Sequence, residues 1–207
     1  MRDLVILGST GSIGVQALEV VAANPTAFNV VAISAYGSNP ALIIEQARTF
    51  KVQVIGVVIN ADVIREALPG VAVIDGPTAA SEVAAITCEV VLNGITGSIG
   101  LGPTLAALEV GNKLALANKE SLVAAGELVM SRAAENQLIP VDSEHSAIWQ
   151  SALAGKKSEI SKLVLTASGG PFRNRRDLSD VTIAEALAHP TWEMGQVVSI
   201  NSRNAYE

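Results

Sequence analysis

One cysteine and two histidines are all that 207 residues provide of the strongest metal-binding side chains. A lone Cys88 excludes an internal disulfide framework and a thiolate-built zinc centre, and points to a reducing compartment. It lies in an apolar run beside Ile86 and Val90 and reads as core. Aromatic residues make up only 3% of the chain although 49% is hydrophobic, so the apolar mass is nearly all Val, Ile, Leu and Ala. That composition suits parallel strands buried on both faces. Positive charge is also short, with 14 Lys and Arg against 20 Asp and Glu and a net charge of −6. This argues against nucleic acid as a partner, although a small anion needs only a local nest of amides. No apolar run approaches the roughly 18 residues of a membrane span, and Leu4 to Leu7 is too short for a signal-peptide core. A cytoplasmic protein with no membrane partner is expected.

What is present begins with Leu4-Val5-Ile6-Leu7, a buried-strand signal that runs into Gly8-Ser-Thr-Gly-Ser-Ile-Gly14 and then the helical spacing of Val15, Leu18, Val21 and Ala22. Strand, glycine turn and helix in that order form a dinucleotide-binding signature: Gly8 for the turn, Gly11 for close approach of a pyrophosphate, Gly14 for helix packing. A plain turn with Ser12 as helix cap is the competing reading. Strands then alternate with helices: Phe28 to Ala35, a helix from Pro40 to Phe50, Val54 to Ile59, a helix over 61–68, Val71 to Ile74, a helix over 77–85, and Glu89 to Leu92. This spacing predicts an α/β fold, a Rossmann-type doubly wound parallel sheet. After the second strand stand Tyr36, Gly37, Ser38 and Asn39. No carboxylate there repels a 2′-phosphate, so NADP is favoured over NAD. Thr96-Gly-Ser-Ile-Gly100 repeats Thr10 to Gly14 residue for residue, and a helix over 101–109 and a strand over 113–117 follow.

Two polar stretches then carry chemistry. Asn118-Lys119-Glu120-Ser121 opens a helix reaching about Asn136; Lys119 at a strand's carboxyl end is placed for a phosphate or carbonyl oxygen, and Asn118 and Glu120 for a ribose or amide. The same residues also suit an ordinary helix start, Asn118 as cap and Glu120 in the first turn. Asp142-Ser143-Glu144-His145 follows the short apolar run Leu138 to Val141. By themselves Asp142 and Glu144 read as a cap and a first-turn acid; as a pair at a strand's carboxyl end they also suit Mg²⁺ or Mn²⁺. A helix over 147–154, a strand over 162–165, a small-residue turn at Thr166 to Phe172, a solvated basic edge at Arg173, Arg175 and Arg176, a helix over 180–188, a loop His189 to Gly195 and a strand over 196–200 complete the expectations. Trp192 between Pro190 and Gly195 suits a lid or a tucked loop.

Five of these motifs in one order, Gly8 to Gly14, Ala117 to Ser121, Val141 to Ser146, Thr166 to Phe172 and His189 to Gly195, resemble the 1-deoxy-D-xylulose 5-phosphate reductoisomerases. The resemblance implies isomerisation and NADPH-dependent reduction of that sugar phosphate to 2-C-methyl-D-erythritol 4-phosphate, with Mg²⁺ or Mn²⁺ as Lewis acid, and a homodimer for full-length members. It places Gly8, Thr10 to Ile13 (Thr10, Gly11, Ser12, Ile13), Gly37, Ser38, Asn39, Asn118, Glu120 and Gly195 on NADPH. Lys119, Ser143, Ser168, His189 and Ser202 fall to the substrate, Trp192 to its lid, and Asp142 and Glu144 to the metal. It also implies an NADPH-binding Rossmann-type domain over 1–141 and an incomplete α+β catalytic domain over 142–207. Ser38 stands where the family often has a basic residue, and Arg203 to Glu207 depart from the family's continuation, which brings a third metal carboxylate. The expectation is an N-terminal part of such an enzyme, retaining NADPH binding but with weak substrate binding and little turnover. A short-chain dehydrogenase is excluded because neither Tyr36 nor Tyr206 has a Lys four residues on. A non-catalytic dinucleotide-binding module is the remaining alternative.

Overall fold

Aliphatic runs ending at glycine or asparagine become strands, and the segments between them that repeat apolar residues every three or four positions become helices. The computed structural model describes residues 1–166, 172, 174, 175, 177–188. The chain divides into two compact units, Met1–Ser146 and Ala147–Glu207.

The first unit runs β1 (Arg2–Leu7), α1 (Ser12–Ala23), β2 (Phe28–Ala35), α2 (Pro40–Phe50), β3 (Val54–Val57), α3 (Ala61–Ala67), β4 (Ala72–Asp75), α4 (Ala79–Ala84), β5 (Val90–Asn93), α5 (Leu101–Glu109), β6 (Lys113–Leu116), α6 (Glu120–Arg132), β7 (Leu138–Pro140) and the start of α7 (Ser143–Ala152). The strands form one sheet in the order β4-β3-β2-β1-β5-β6-β7. Every pairing is parallel. The chain builds outward from β1 to β4, returns, and builds outward again from β5, so β1 and β5 flank the point where strand order reverses. Open α/β sheets bind their ligands at that crevice.

Both faces of the sheet are covered, and the period-two alternation of strand side chains sorts the residues between them. Ile6, Ile33 and Ile55 pack with Leu18, Val21, Ile43 and Ile64 of α1, α2 and α3. Val5, Leu7, Val91 and Leu114 pack with Val83, Ala107, Leu108 and Val129 of α4, α5 and α6. Half-buried Cys88 packs at the edge of that second cluster; its thiol donates to the Val90 carbonyl at 3.4 Å, and burial pushes its pKa up. Two helices differ from expectation. The last helix of the first unit starts at Ser143 instead of residue 147. α6 ends at Arg132 and is broken at Ala125 (φ −147°, ψ 36°), beside Gly126, whose low helix propensity weakens that turn.

In the second unit, α7 gives way to a single 3-10 turn at Lys157–Glu159, and α8 (Ile183–Leu187) lies further on. The strand expected over 162–165 does not form: Leu163 and Val164 are 66% and 64% exposed and carry no strand pairing among the described residues. Strand propensity reports fitness for a half-buried pleated surface, and without a neighbouring strand it specifies nothing. Arg175, expected on a solvated edge, donates to both Asp180 and Glu185. Thr182 and Glu185 form a capping box at the start of α8. The expected strand over 196–200 lies outside the described residues.

Glu185 provides a local titration test. Hydrogen bonds from the Thr182 backbone and hydroxyl, and then from Arg175, bring its carboxyl from 4.5 down to about 2. A depressed folded-state pKa means that the cap's contribution is complete above the ordinary value and is lost as pH falls through about 2. An NMR titration of the Glu185 carboxyl carbon is expected to show that low midpoint, and Thr182→Ala to raise it. A parental midpoint near 4.5 would mean the box does not persist in solution.

Candidate functional site

The strand register sets the site. Leu7 pairs with Ser34 on one side and Asn93 on the other, Asn93 pairs with Leu116, and Leu116 with Pro140. Five strands therefore end in one row, and their following turns lie in the order β2, β1, β5, β6, β7 along one edge of the sheet. With neighbouring strands about 4.8 Å apart, that row is about 19 Å long.

At the end of β1, Gly8 adopts φ +78°, and its amide and that of Ser9 donate to the Ser34 carbonyl at 2.8 and 2.9 Å. A Cβ on Gly14 would lie 2.3 Å from the Gly8 oxygen and 2.5 Å from the Ser9 Cα, so α1 packs against its own turn more closely than any side chain permits. Gly11, in contrast, would bring a Cβ only to 3.3 Å from the Gly8 oxygen. Gly11 is the N-cap and makes no side-chain cap bond; Ser12, a candidate cap in the sequence, is instead the first helical residue and accepts from Gln16 at 3.0 Å. Gly11, Ser12 and Ile13 are exposed and Thr10 half-buried. First-turn amides of a helix lack intrahelical acceptors, so the turn offers donors and a favourable dipole to an anion. Beneath it, Gln46 of α2 donates to the Ser9 carbonyl at 2.9 Å, while Ser9 Oγ, Ser34 Oγ and Gln46 Oε1 are buried without a protein partner among the described residues. Orphaned buried polar atoms cost about 1–3 kcal/mol each and gather at functional turns.

The glycine turns after β1 and β5 are neighbours because their strands pair. Gly94 follows β5 as Gly8 follows β1, and the two touch: a Cβ on Gly8 would lie 3.0 Å from the Gly94 oxygen, and one on Gly94 would lie 3.2 Å from the Ile13 Cβ. The second loop is held from below. Buried Asn93 donates to the Gly100 carbonyl and to Thr104 Oγ1, each at 2.9 Å, and accepts from the Ile95 amide. Buried Asn118 donates to the carbonyls of Ile95 and Gly97 and accepts from the amide and hydroxyl of Ser121. Its side chain thus holds an amide in the first turn of α6 and staples the second loop together. Asn93, Thr104 and Gln46 were not candidates from sequence; the signal available was a polar residue closing the aliphatic run Val90 to Leu92.

At the end of β2, Gly37 has φ +103° and packs on the Ile59 carbonyl, while Asn39 caps α2 by accepting from the Leu42 amide at 3.2 Å. Ser38 is exposed. At the ends of β6 and β7, Lys119 and Asp142 meet: Lys119 Nζ donates to Asp142 Oδ2 at 3.2 Å, and His145 Nδ1 lies 2.8 Å from Asp142 Oδ1. Burial alone would push the Asp142 carboxyl up, since its side chain is 16% exposed; the His145 hydrogen bond and the Lys119 charge outweigh it and hold the pKa below the ordinary value. Ser143 Oγ donates to Glu144 Oε2 at 2.8 Å, and the Glu144 carboxyl adjoins Asp142. Two carboxylates and a hydroxyl give oxygen donors of the kind a hard divalent cation takes. No group of three or more metal-binding side chains assembles among the described residues. Glu120 opens α6 beside Lys119. Ser168, His189, Trp192, Gly195 and Ser202 lie outside the described residues.

Comparison with known proteins identifies the family to which the chain belongs. The family model for 1-deoxy-D-xylulose 5-phosphate reductoisomerase matches residues 4–126, and the one for its C-terminal domain matches residues 138–206. The reductoisomerase of Leifsonia xyli is 57% identical over 98% of this chain and 52% of its own length, and that of Streptomyces coelicolor 53% identical over 97% and 51%. The chain spans about half the length of the curated relatives it matches. Among solved structures, the Zymomonas mobilis reductoisomerase in complex with NADPH superposes with a TM-score of 0.83 at 34% identity, covering 97% of this chain and 54% of that one. A reductoisomerase in complex with NADPH, fosmidomycin and magnesium superposes with a TM-score of 0.82 at 33% identity, covering 98% and 54%. Sequence and fold therefore place the chain in the 1-deoxy-D-xylulose 5-phosphate reductoisomerase family.

Proposed function

We propose that this chain carries the dinucleotide site and two metal carboxylates of an enzyme that isomerises 1-deoxy-D-xylulose 5-phosphate and reduces the product with NADPH to 2-C-methyl-D-erythritol 4-phosphate. The observation that carries this reading is the row of five turns at aligned strand ends, ordered adenosine turn, glycine loop, second glycine loop, Lys119, Asp142. A dinucleotide laid along it has its pyrophosphate on Thr10 to Ile13, its adenosine at Gly37 to Asn39 and its nicotinamide toward the turn of Asn118 and Glu120, with Gly195 assigned to it by family resemblance. Asn118 offers main-chain groups there because its side chain is taken up within the protein. The family resemblance assigns the substrate to Lys119, Ser143, Ser168, His189 and Ser202, and Trp192 to its lid. Asp142 and Glu144 hold Mg²⁺ or Mn²⁺, which supplies Lewis-acid polarisation of substrate oxygens when bound. Lys119 meets a substrate oxyanion as a compact cation, and the second loop, stapled by Asn93 and Asn118, keeps bulk off the nicotinamide path. On this reading residues 1–141 are the NADPH-binding part and 142–207 belong to the catalytic part; the enzyme works as a cytoplasmic homodimer. Among the described residues no helix is long and apolar enough to cross a membrane.

Titration with NADPH, followed by the nucleotide's own fluorescence, tests the proposal. Saturable binding with a dissociation constant at or below about 1 mM is expected, the range in which enzymes hold their substrates. Absence of binding at several times that concentration would remove the dinucleotide site and the function with it.

A further inference from the structure

Four buried polar side chains lie behind the second glycine loop and come from three elements: Asn93 ends β5, Thr104 lies in α5, and Asn118 and Ser121 flank the start of α6. Their hydrogen bonds run in one direction and close on themselves. The Ile95 amide donates to Asn93 Oδ1, Asn93 Nδ2 to Thr104 Oγ1 at 2.9 Å, Thr104 to Ser121 Oγ at 3.4 Å, Ser121 to Asn118 Oδ1, and Asn118 Nδ2 back to the Ile95 carbonyl. The direction is forced by chemistry. Main-chain groups orient both asparagines, because Asn93 also donates to the Gly100 carbonyl and Asn118 Oδ1 also accepts from the Ser121 amide. An amide nitrogen only donates and an amide oxygen only accepts, so the two hydroxyls between them have a single arrangement. Such a ring has no alternative pairing to slip into, and its members polarise one another.

Asn118 also reaches the Gly97 carbonyl at 2.8 Å, and a Cβ on Gly100 would lie 2.5 Å from Asn118 Nδ2. The ring therefore grips the loop at Ile95, Gly97 and Gly100 and leaves Thr96, Ser98 and Ile99 exposed. In the row of strand ends this loop stands between the β1 glycine turn and Lys119. We infer that Thr104 and Ser121, buried and out of reach of any ligand, are positioning residues for the nicotinamide half of the dinucleotide. Through the ring they hold the second loop and the Asn118 main chain at a fixed separation. The inference rests on the dinucleotide reading above. Thr104 carries the link, since its hydroxyl joins the β5 side of the ring to the α6 side.

Calorimetry without turnover compares NADPH with 2′-phospho-ADP-ribose, which keeps the adenosine and pyrophosphate and lacks the nicotinamide. Thr104→Val removes the hydroxyl and keeps the branched shape. It is expected to weaken NADPH by about three- to tenfold, the worth of one neutral hydrogen bond, and to leave 2′-phospho-ADP-ribose at its parental affinity. The fluorescence of bound NADPH is expected to move toward that of the free nucleotide. Thr104→Ser restores the hydroxyl and is expected to restore both signals. Ser121→Ala opens the ring from the other side and gives the same comparison if Thr104→Val does not fold. Because either cut opens one ring, the double variant is expected to lose no more than the larger single loss. Variants that weaken both nucleotides alike, or neither, or whose losses add, would overturn the inference while leaving the dinucleotide site intact. Failure of the parent to bind NADPH would overturn both.

Discussion

Gly14→Ala is expected to lower the unfolding free energy by about 3 kcal/mol and to abolish measurable NADPH binding. The added methyl would stand 2.3 Å from the Gly8 oxygen and 2.5 Å from the Ser9 Cα, both backbone atoms of the turn that the Ser34 carbonyl holds in place. Neither can rotate aside as a side-chain tip would. Either α1 lifts off β1, which opens the packing of Leu18 and Val21, or the turn re-forms and its amides no longer point at one anion. Gly11→Ala is the matched control. Its φ of −79° is ordinary for any residue and its methyl reaches only 3.3 Å from the Gly8 oxygen, so the fold should lose little while the exposed methyl still hinders the pyrophosphate. Urea unfolding and NADPH titration of the two variants separate the effects. Parental stability and affinity in Gly14→Ala would show that the close approach of α1 to the turn is not what holds the cofactor.

Asp142→Asn is expected to weaken Mn²⁺ binding by about a hundredfold or more, the upper end of what residues merely supporting a metal ligand contribute. The carboxylate is mostly buried, yet the His145 hydrogen bond and the Lys119 charge keep it ionised at neutral pH, so it presents full negative charge to a cation. An amide keeps the shape and loses the charge. Lys119→Met is expected to act oppositely and tighten Mn²⁺ by about tenfold, because an ammonium 3.2 Å from Asp142 Oδ2 competes with the metal for the same oxygen. Electron paramagnetic resonance of free Mn²⁺ measures both without substrate or turnover. Equal Mn²⁺ affinity in the parent and in Asp142→Asn would return Asp142 to a helix-starting role and leave a non-catalytic dinucleotide-binding module.

Much of the first unit is legible in the chain. β2 and α2 have the ends expected of them, because Asn39 caps, Pro40 fits the first helical position and Lys51 closes the helix in the left-handed region. α5 likewise spans Leu101 to Glu109 as expected. The segment over 162–165 was misjudged because apolar content says what a segment tolerates, and the described surroundings give Leu163 and Val164 no strand to pair with; the helix expected over 147–154 forms but begins earlier. The start of α7 at Ser143 also changes the chemistry, since it turns His145 back onto Asp142, three positions earlier.

Local pattern determined the strands, the glycine turn and the identity of the candidate ligands, because strand and helix periods, left-handed glycines and caps are decided within a few residues. Which turns become neighbours was decided only by tertiary structure. The turns after β1 and β5 touch, at Gly8 and Gly94, because β5 returns to pair with β1, and Lys119 reaches Asp142 because β6 pairs with β7 in register. Asn118, equally suited by sequence to a ribose or a helix cap, has its side-chain amide fully engaged within the protein once the second loop folds over it. Such pairings are long-range choices, made by burying both faces of one sheet, and no window of the sequence contains them.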